Sequence, residues 1–173
     1  MTNSRLLAGA AILVCLAGAP TAFGASDTDI QGVQSAKLTL SDAIMKAQKQ
    51  DSGKAIFGKY ETHNGTGNYV VTLVTADGKK DTMNVDPATG QATKAERANS
   101  GSSSEAGAQT IEQAKIGLTD AIKTAEQAGG KAMRATLDTD KGRTAYKVEL
   151  AAGTKTTTVW VDATSGQTFD SSS

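Results

Sequence analysis

Few residues in this chain could do chemistry, and spacing limits what each could do. His63 is the single histidine of 173 residues. Hydrolysis by a serine nucleophile needs a histidine base oriented by a third group on a rigid element. His63 instead opens His63-Asn64-Gly65, a hairpin-turn run, and the equivalent place later in the chain holds Asp140. Asp138-Thr139-Asp140-Lys141-Gly142 begins like a calcium loop. Its glycine is one position early for that loop, so this run also reads as a turn. Asp86 and Asp162 are two acids in matching contexts, as acid–base chemistry would want. Each is followed by turn residues, which makes them turn formers. A structural zinc site needs four nitrogen or sulfur ligands, and no phosphate-cradling glycine run follows an expected strand. The sequence predicts no catalytic residue, no metal site and no cofactor.

The chain's start sets its compartment. Met1–Arg5 carries one base and no acid, Leu6–Ala19 is apolar, and small residues follow Pro20. This is the pattern of a secretory signal peptide, with cleavage expected after Gly24. The apolar run is shorter than the roughly 20 residues of a spanning helix. Cys15, the only cysteine, follows Leu13 and Val14 rather than the small residues of a lipidation site. Removing 1–24 leaves no cysteine for a disulfide. It also leaves 17 basic residues against 18 acidic ones, a balance without the footprint of a nucleic-acid or anionic-membrane binder. No later run is long enough for membrane insertion, so the expected product is periplasmic or secreted.

The remainder repeats itself. Ala36-Lys37-Leu38-Thr39-Leu40-Ser41-Asp42-Ala43-Ile44 returns as Ala114-Lys115-Ile116-Gly117-Leu118-Thr119-Asp120-Ala121-Ile122. Gly53-Lys54-Ala55 returns as Gly130-Lys131-Ala132, Tyr69/Val71/Leu73 as Tyr146/Val148/Leu150, and Val85-Asp86 as Val161-Asp162. Such self-similarity marks an internal duplication. The expected organisation is a signal peptide at 1–24, one unit at 36–93, a flexible linker at 94–113 and a second unit at 114–170. The Ser/Gly/Ala composition of the intervening segment supports the linker. Residues 25–35 read as a loose end.

Within each unit the apolar period changes once. Leu40, Ala43, Ile44 and Ala47, like Leu118, Ala121, Ile122 and Ala125, fall on one helix face. Thr39 with Asp42 can cap the first helix, whereas Gly117 offers the second only a weak cap. Alternation of period two then predicts strands ending in Asn-Gly, Asp-Gly, Lys-Gly and Ala-Gly turns. The expected fold is α+β: two tandem units, each one helix packed on an antiparallel sheet of three to four strands.

This order of parts resembles the PepSY domain. The resemblance rests on the apolar-Ala-Ile helix, the Gly-Lys stretch before the first strand, the Tyr-x-Val-x-Leu strand and the Val-Asp-x-x-Thr/Ser-Gly-Gln close, each present twice. The tandem arrangement is also similar to the units of beta-lactamase inhibitor protein. The resemblance implies a non-catalytic module that inhibits or holds peptidases, with no catalytic residues to carry over. No peptidase domain follows, so a propeptide acting in cis is not expected.

Strand alternation also predicts which apolar residues face away from the helices. These are Trp160 in the second unit and Phe57, Val70 and Val74 in the first. Exposed aromatic side chains make binding anchors, so these four form the expected partner surface. Two function classes follow: an exported binding module acting on a protein partner, which the resemblance implies is a peptidase, or a structural component of the envelope without inhibitory action.

Overall fold

The computed structural model describes residues 26–95 and 108–171. The expected signal peptide and the middle of the expected linker lie outside them. Twelve elements follow in the order α1 (Asp27–Ser35), α2 (Leu40–Gln50), β1 (Lys54–His63), β2 (Thr66–Val74), β3 (Lys80–Val85), β4 (Ala92–Lys94), α3 (Ala108–Gln113), α4 (Leu118–Glu126), β5 (Lys131–Asp140), β6 (Arg143–Ala152), β7 (Lys155–Asp162) and β8 (Thr168–Phe169). The α+β class and the tandem helix-then-sheet units are as the periodicity predicts.

Both principal helices form for the reasons legible in their sequences. In α2, the Thr39 hydroxyl accepts from the Asp42 amide at 3.1 Å and the Asp42 carboxylate accepts from the Thr39 amide at 3.1 Å. This reciprocal box satisfies two N-terminal donors. In α4, Gly117 supplies no side-chain cap. The apolar faces Leu40/Ala43/Ile44/Ala47 and Leu118/Ala121/Ile122/Ala125 are buried. Each lies on Tyr-x-Val-x-Leu of its own unit, where Tyr69 and Tyr146 are fully buried and donate to the Leu38 and Ile116 carbonyls at 2.7 and 2.8 Å. A buried phenol must find such an acceptor.

The two sheets are one. Strand order is β4-β3-β2-β1-β5-β6-β7-β8, antiparallel throughout, with the units joined where Phe57, Gly58 and Lys59 pair Thr136, Ala135 and Arg134. Both units carry an irregularity at the same place, leaving Ile56 and Met133 unpaired and buried. An extra residue of this kind bends its strand and increases the local twist. At the β1–β2 and β5–β6 turns, Asn64-Gly65 and Lys141-Gly142 all have φ between 48° and 81°. Positive φ at both central residues gives the turn that matches strand twist in a two-residue hairpin.

All four helices cover the same side. Gly58 on β1 faces Leu40 and Ile44 of α2, and Tyr60, two residues on, meets α1 at Gly32. A Cβ on Gly32 would lie 2.5 Å from the Tyr60 hydroxyl, so only glycine permits this contact. The Thr144 hydroxyl, on the Tyr146 side of β6, donates to the Gln113 side-chain carbonyl of α3 at 2.6 Å.

Two expectations need correction. Residues 25–35 are not a loose end, because 27–35 form α1, with Ile30 and Val33 buried. Of the segment 94–113 read as linker, Lys94 closes β4 and 108–113 form α3.

Candidate functional site: the outer sheet face

With the helices on one side, the other side of the sheet presents every second strand residue. Trp160 lies here, half-buried on β7, directly opposite Phe169 of β8. Their ring centroids are 6.3 Å apart with planes tilted by 42°. The Lys147 ammonium stands 5.9 Å from the Trp160 ring centre, and the Arg143 guanidinium 4.5 Å from that of Phe169. Arg143, Phe169, Trp160 and Lys147 thus form a cation–aromatic row across β6, β7 and β8. Cations over ring faces are held by the ring quadrupole, by about 0.5–1 kcal/mol where solvent reaches them. Arg143 also approaches Asp162 at 3.9 Å.

The first unit presents no such row. The positions matching Trp160 and Phe169 are Asn84 and Thr93, which pair across β3 and β4. Asn84 accepts from the Asn68 amide at 3.1 Å.

The four predicted surface residues do not form one cluster. Phe57, Val70 and Val74 share the face of β1 and β2, where Phe57 pairs Thr72 between the two valines. Trp160 is three strands away across β5 and β6, roughly 14 Å at ordinary strand spacing. Phe57 is also not open. It is only 9% exposed, with the Arg134 guanidinium 5.6 Å from its ring centre. At the seam it pairs Thr72 of β2 and Thr136 of β5, with Arg134 from the other unit over its ring, so the Phe57 ring is packed. Val70 and Val74 are half-buried. Sequence reasoning missed Phe169, Arg143 and Lys147. The first of these was visible as the only large apolar residue of the closing strand.

The remaining candidates stand where turns need them. His63 is exposed at the end of β1. The Asp86 carboxylate accepts from the amides of Ala88 and Thr89 at 2.8 and 2.7 Å, and Asp162 from those of Thr164 and Ser165 at 3.0 and 2.7 Å. Amide and hydroxyl donors from Thr89 and Ala88 hold the Asp86 carboxyl below the usual carboxylate range. Those of Ser165 and Thr164 do the same for Asp162, against a smaller opposing effect of burial. Both acids are thereby committed to their own loops as anions.

The geometry defines a class: a duplicated two-layer α+β protein with helices on one side and a continuous sheet face on the other. The chain belongs to the PepSY family, described as peptidase propeptide and YPEB domain, which matches residues 37–96 and 115–171. Members of this family are propeptide-type, non-catalytic modules. No curated relative matches the chain. Among solved structures, the chain is similar to a Clostridium difficile 630 protein described as a lipoprotein, at 18% identity and a TM-score of 0.41. The alignment covers 78% of this chain and 92% of that one. Among the described residues, no helix is long and apolar enough to cross a membrane.

Proposed function

We propose that this chain is an exported, non-catalytic module that binds a protein partner through the outer face of its second unit and restrains or modulates a secreted or envelope peptidase. The observation that carries this reading is the row Arg143–Phe169–Trp160–Lys147. It places the only tryptophan on a helix-free face with a second aromatic beside it and two cations around them. Aromatic and arginine side chains dominate binding energetics when a partner desolvates them. Family membership supports a peptidase as partner. The signal-like residues 1–24 support export, to the periplasm or the medium.

The testing experiment is capture. The chain from Ala25 onward is immobilised and exposed to envelope and culture-medium extracts, beside its Trp160→Ala variant. Recovery of a peptidase by the parent and its loss with the variant supports the proposal. Recovery of only wall or membrane components by both would instead favour the structural role in envelope assembly.

A further inference from the structure

The two units differ at their outer edges, and the difference exposes a place for one more strand. In the first unit β4 pairs β3 through Ala92, Thr93 and Lys94, and the Ala95 amide then donates to the Thr82 carbonyl at 2.8 Å. Lys94 secures this edge through Asp81 at 2.9 Å and Asp51 at 3.5 Å. Beneath it Met83 is 1% exposed. In the second unit β8 stops after Thr168 and Phe169. The positions matching Lys94, Asp81 and Asp51 are Asp170, Thr157 and Ala128, so the charge pairs that hold β4 in place have no counterpart. Val159, matching Met83, is half-buried, and Thr156, Thr157 and Thr158 are exposed. A groove of about 500 Å³ runs along this edge, lined by Ala128, Thr158, Val159, Trp160 and Phe169 among others.

The backbone there is oriented for pairing. The Asp162 amide points away from β6, donating to the Gln167 carbonyl at 2.8 Å, whereas the Ala163 amide points toward β6, donating to the Thr144 carbonyl at 3.0 Å. Strand alternation then turns the amides and carbonyls of Trp160, Thr158 and Thr156 outward. Beyond Trp160 no strand of the described chain meets them. Natural edges are usually guarded by charge, proline or a short strand. The first unit's matching segment carries Lys80 and Asp81, the latter paired to Lys94, whereas Thr156–Val159 carries no charge and no proline.

We infer that the open edge of β7 at Thr156–Val159 accepts an extended segment of a partner polypeptide by strand addition. The site selects an apolar or small residue facing Val159 and Ala128, with a basic residue beside Asp170 and the carbonyl end of α4. Asp170 brings an acid to the place that Lys94 fills in the first unit, which reverses the charge wanted from the occupant. Main-chain hydrogen bonds supply affinity in this mode and the alternate side chains supply selectivity. The inference rests on the reading of the chain as a protein-binding module, but places contact at an edge rather than on the face.

The first unit supplies the probe: a synthetic peptide Gln-Ala-Thr-Lys-Ala-Glu-Arg, the sequence of residues 91–97. Amide exchange at Thr156 and Thr158 is followed by NMR in the chain from Ala25 onward. Exchange should be fast in the dilute free protein and slow by a factor of about ten or more at millimolar peptide. A Lys→Glu version of the peptide should protect less. Thr158→Pro removes the outward donor without removing a bond to β6, and should abolish protection. The triple variant Ala128→Asp, Thr157→Asp, Asp170→Lys rebuilds the first unit's clamp; it should close the edge and also exclude peptide. Absence of protection at millimolar peptide overturns the inference. So does slow exchange in the dilute free chain, or protection that grows with protein concentration alone, which would give the edge to a second copy. Failure of the parent chain to capture a peptidase, or capture undiminished in Trp160→Ala, with peptide protection intact, would sink the face reading and spare this one.

Discussion

Lys54 and Lys131 hold each other's units. The Lys54 ammonium donates to the Ile111 and Ala114 carbonyls at 2.7 and 2.6 Å, at the end of α3, and the Lys131 ammonium donates to the Ala36 carbonyl at 2.8 Å, at the end of α1. Each lysine is the second residue of the repeated Gly-Lys-Ala, and Ala36 and Ala114 are themselves equivalent. Each bond therefore crosses from one unit to the helix that opens the other. A cation at the carbonyl end of a helix satisfies acceptors that the helix leaves unpaired. Burial lowers the Lys54 pKa from its ordinary value.

The exchange predicts a crossed response to mutation. Lys131→Met should raise amide exchange in α1 of the first unit, and Lys54→Met should raise it in α3 of the second. Each should cost about 1–3 kcal/mol, as for charge-assisted bonds left with bare carbonyls. Exchange mapped by mass spectrometry reads this directly. If each substitution loosened only its own unit, the lysines would not be the ties described.

The same seam bears on the linker. Limited proteolysis should cut between Ala95 and Ala108, leaving two fragments of about 65–85 residues, one for each unit. Alone, units this small have little core and are only marginally stable. In the intact protein they share the β1–β5 pairing and both lysine bonds, so the nicked protein should elute as one species on native size exclusion and separate only in denaturant. Elution of two folded fragments would show the units to be independent.

How far the sequence revealed all this depends on the range of each interaction. Helix faces, strand alternation and turns are local, so Leu40/Ile44, Tyr69/Val71/Leu73 and Asn64-Gly65 announced them. The joining of the sheets depends on only three residue pairs centred on Gly58 and Ala135, and periodicity does not name a strand's neighbour. For the same reason alternation alone leaves Phe57 open: it gives the side correctly, but Arg134, which covers the ring, comes from the other unit. Helix α1 was missed because Ile30 and Val33 are its only large apolar residues. Its cap was nonetheless written in Ser26, whose hydroxyl accepts from the Asp29 amide at 3.2 Å, with Asp27 and Asp29 in the first turn.

Stability should fall at both ends of the pH range. Asp86 and Asp162 have folded pKa values below their unfolded ones, so the unfolded chain binds more protons as pH drops. Their contribution is present above the unfolded value and is lost as pH falls below about 4. Burial, with a smaller effect from Asp120, pushes the Tyr146 phenol up to about 12. Its contribution is complete below the ordinary tyrosine value near 10 and is lost as pH rises through the folded one. Tyr69 is raised in the same direction, again chiefly by burial. Thermal melts should therefore be flat from about pH 5 to 9 and decline beyond. Asp86→Asn should blunt the acid arm. Tyr146→Phe should cost about 1 kcal/mol at neutrality through the unpaired Ile116 carbonyl and blunt the alkaline arm.

The last prediction separates the two aromatic residues that the sequence alone placed on one surface. Phe57 is nearly buried at the seam, so Phe57→Ala should behave as a core truncation, costing about 3 kcal/mol or more. Trp160 is half-buried, and its contacts on the outer face are to Phe169 and Lys147 rather than to a helix. Trp160→Ala should shift the melting temperature much less than Phe57→Ala. It should instead weaken binding to the captured partner by about 2 kcal/mol, roughly thirtyfold. Val161→Asp is the control for the opposite side of the same strand: Val161 is fully buried, and a charge placed there should unfold the second unit. Melts of the three variants beside titrations against the partner give the comparison. If Trp160→Ala lowers the melting temperature as far as Phe57→Ala while binding per folded molecule is unchanged, Trp160 is packing too, and the outer face loses its anchor.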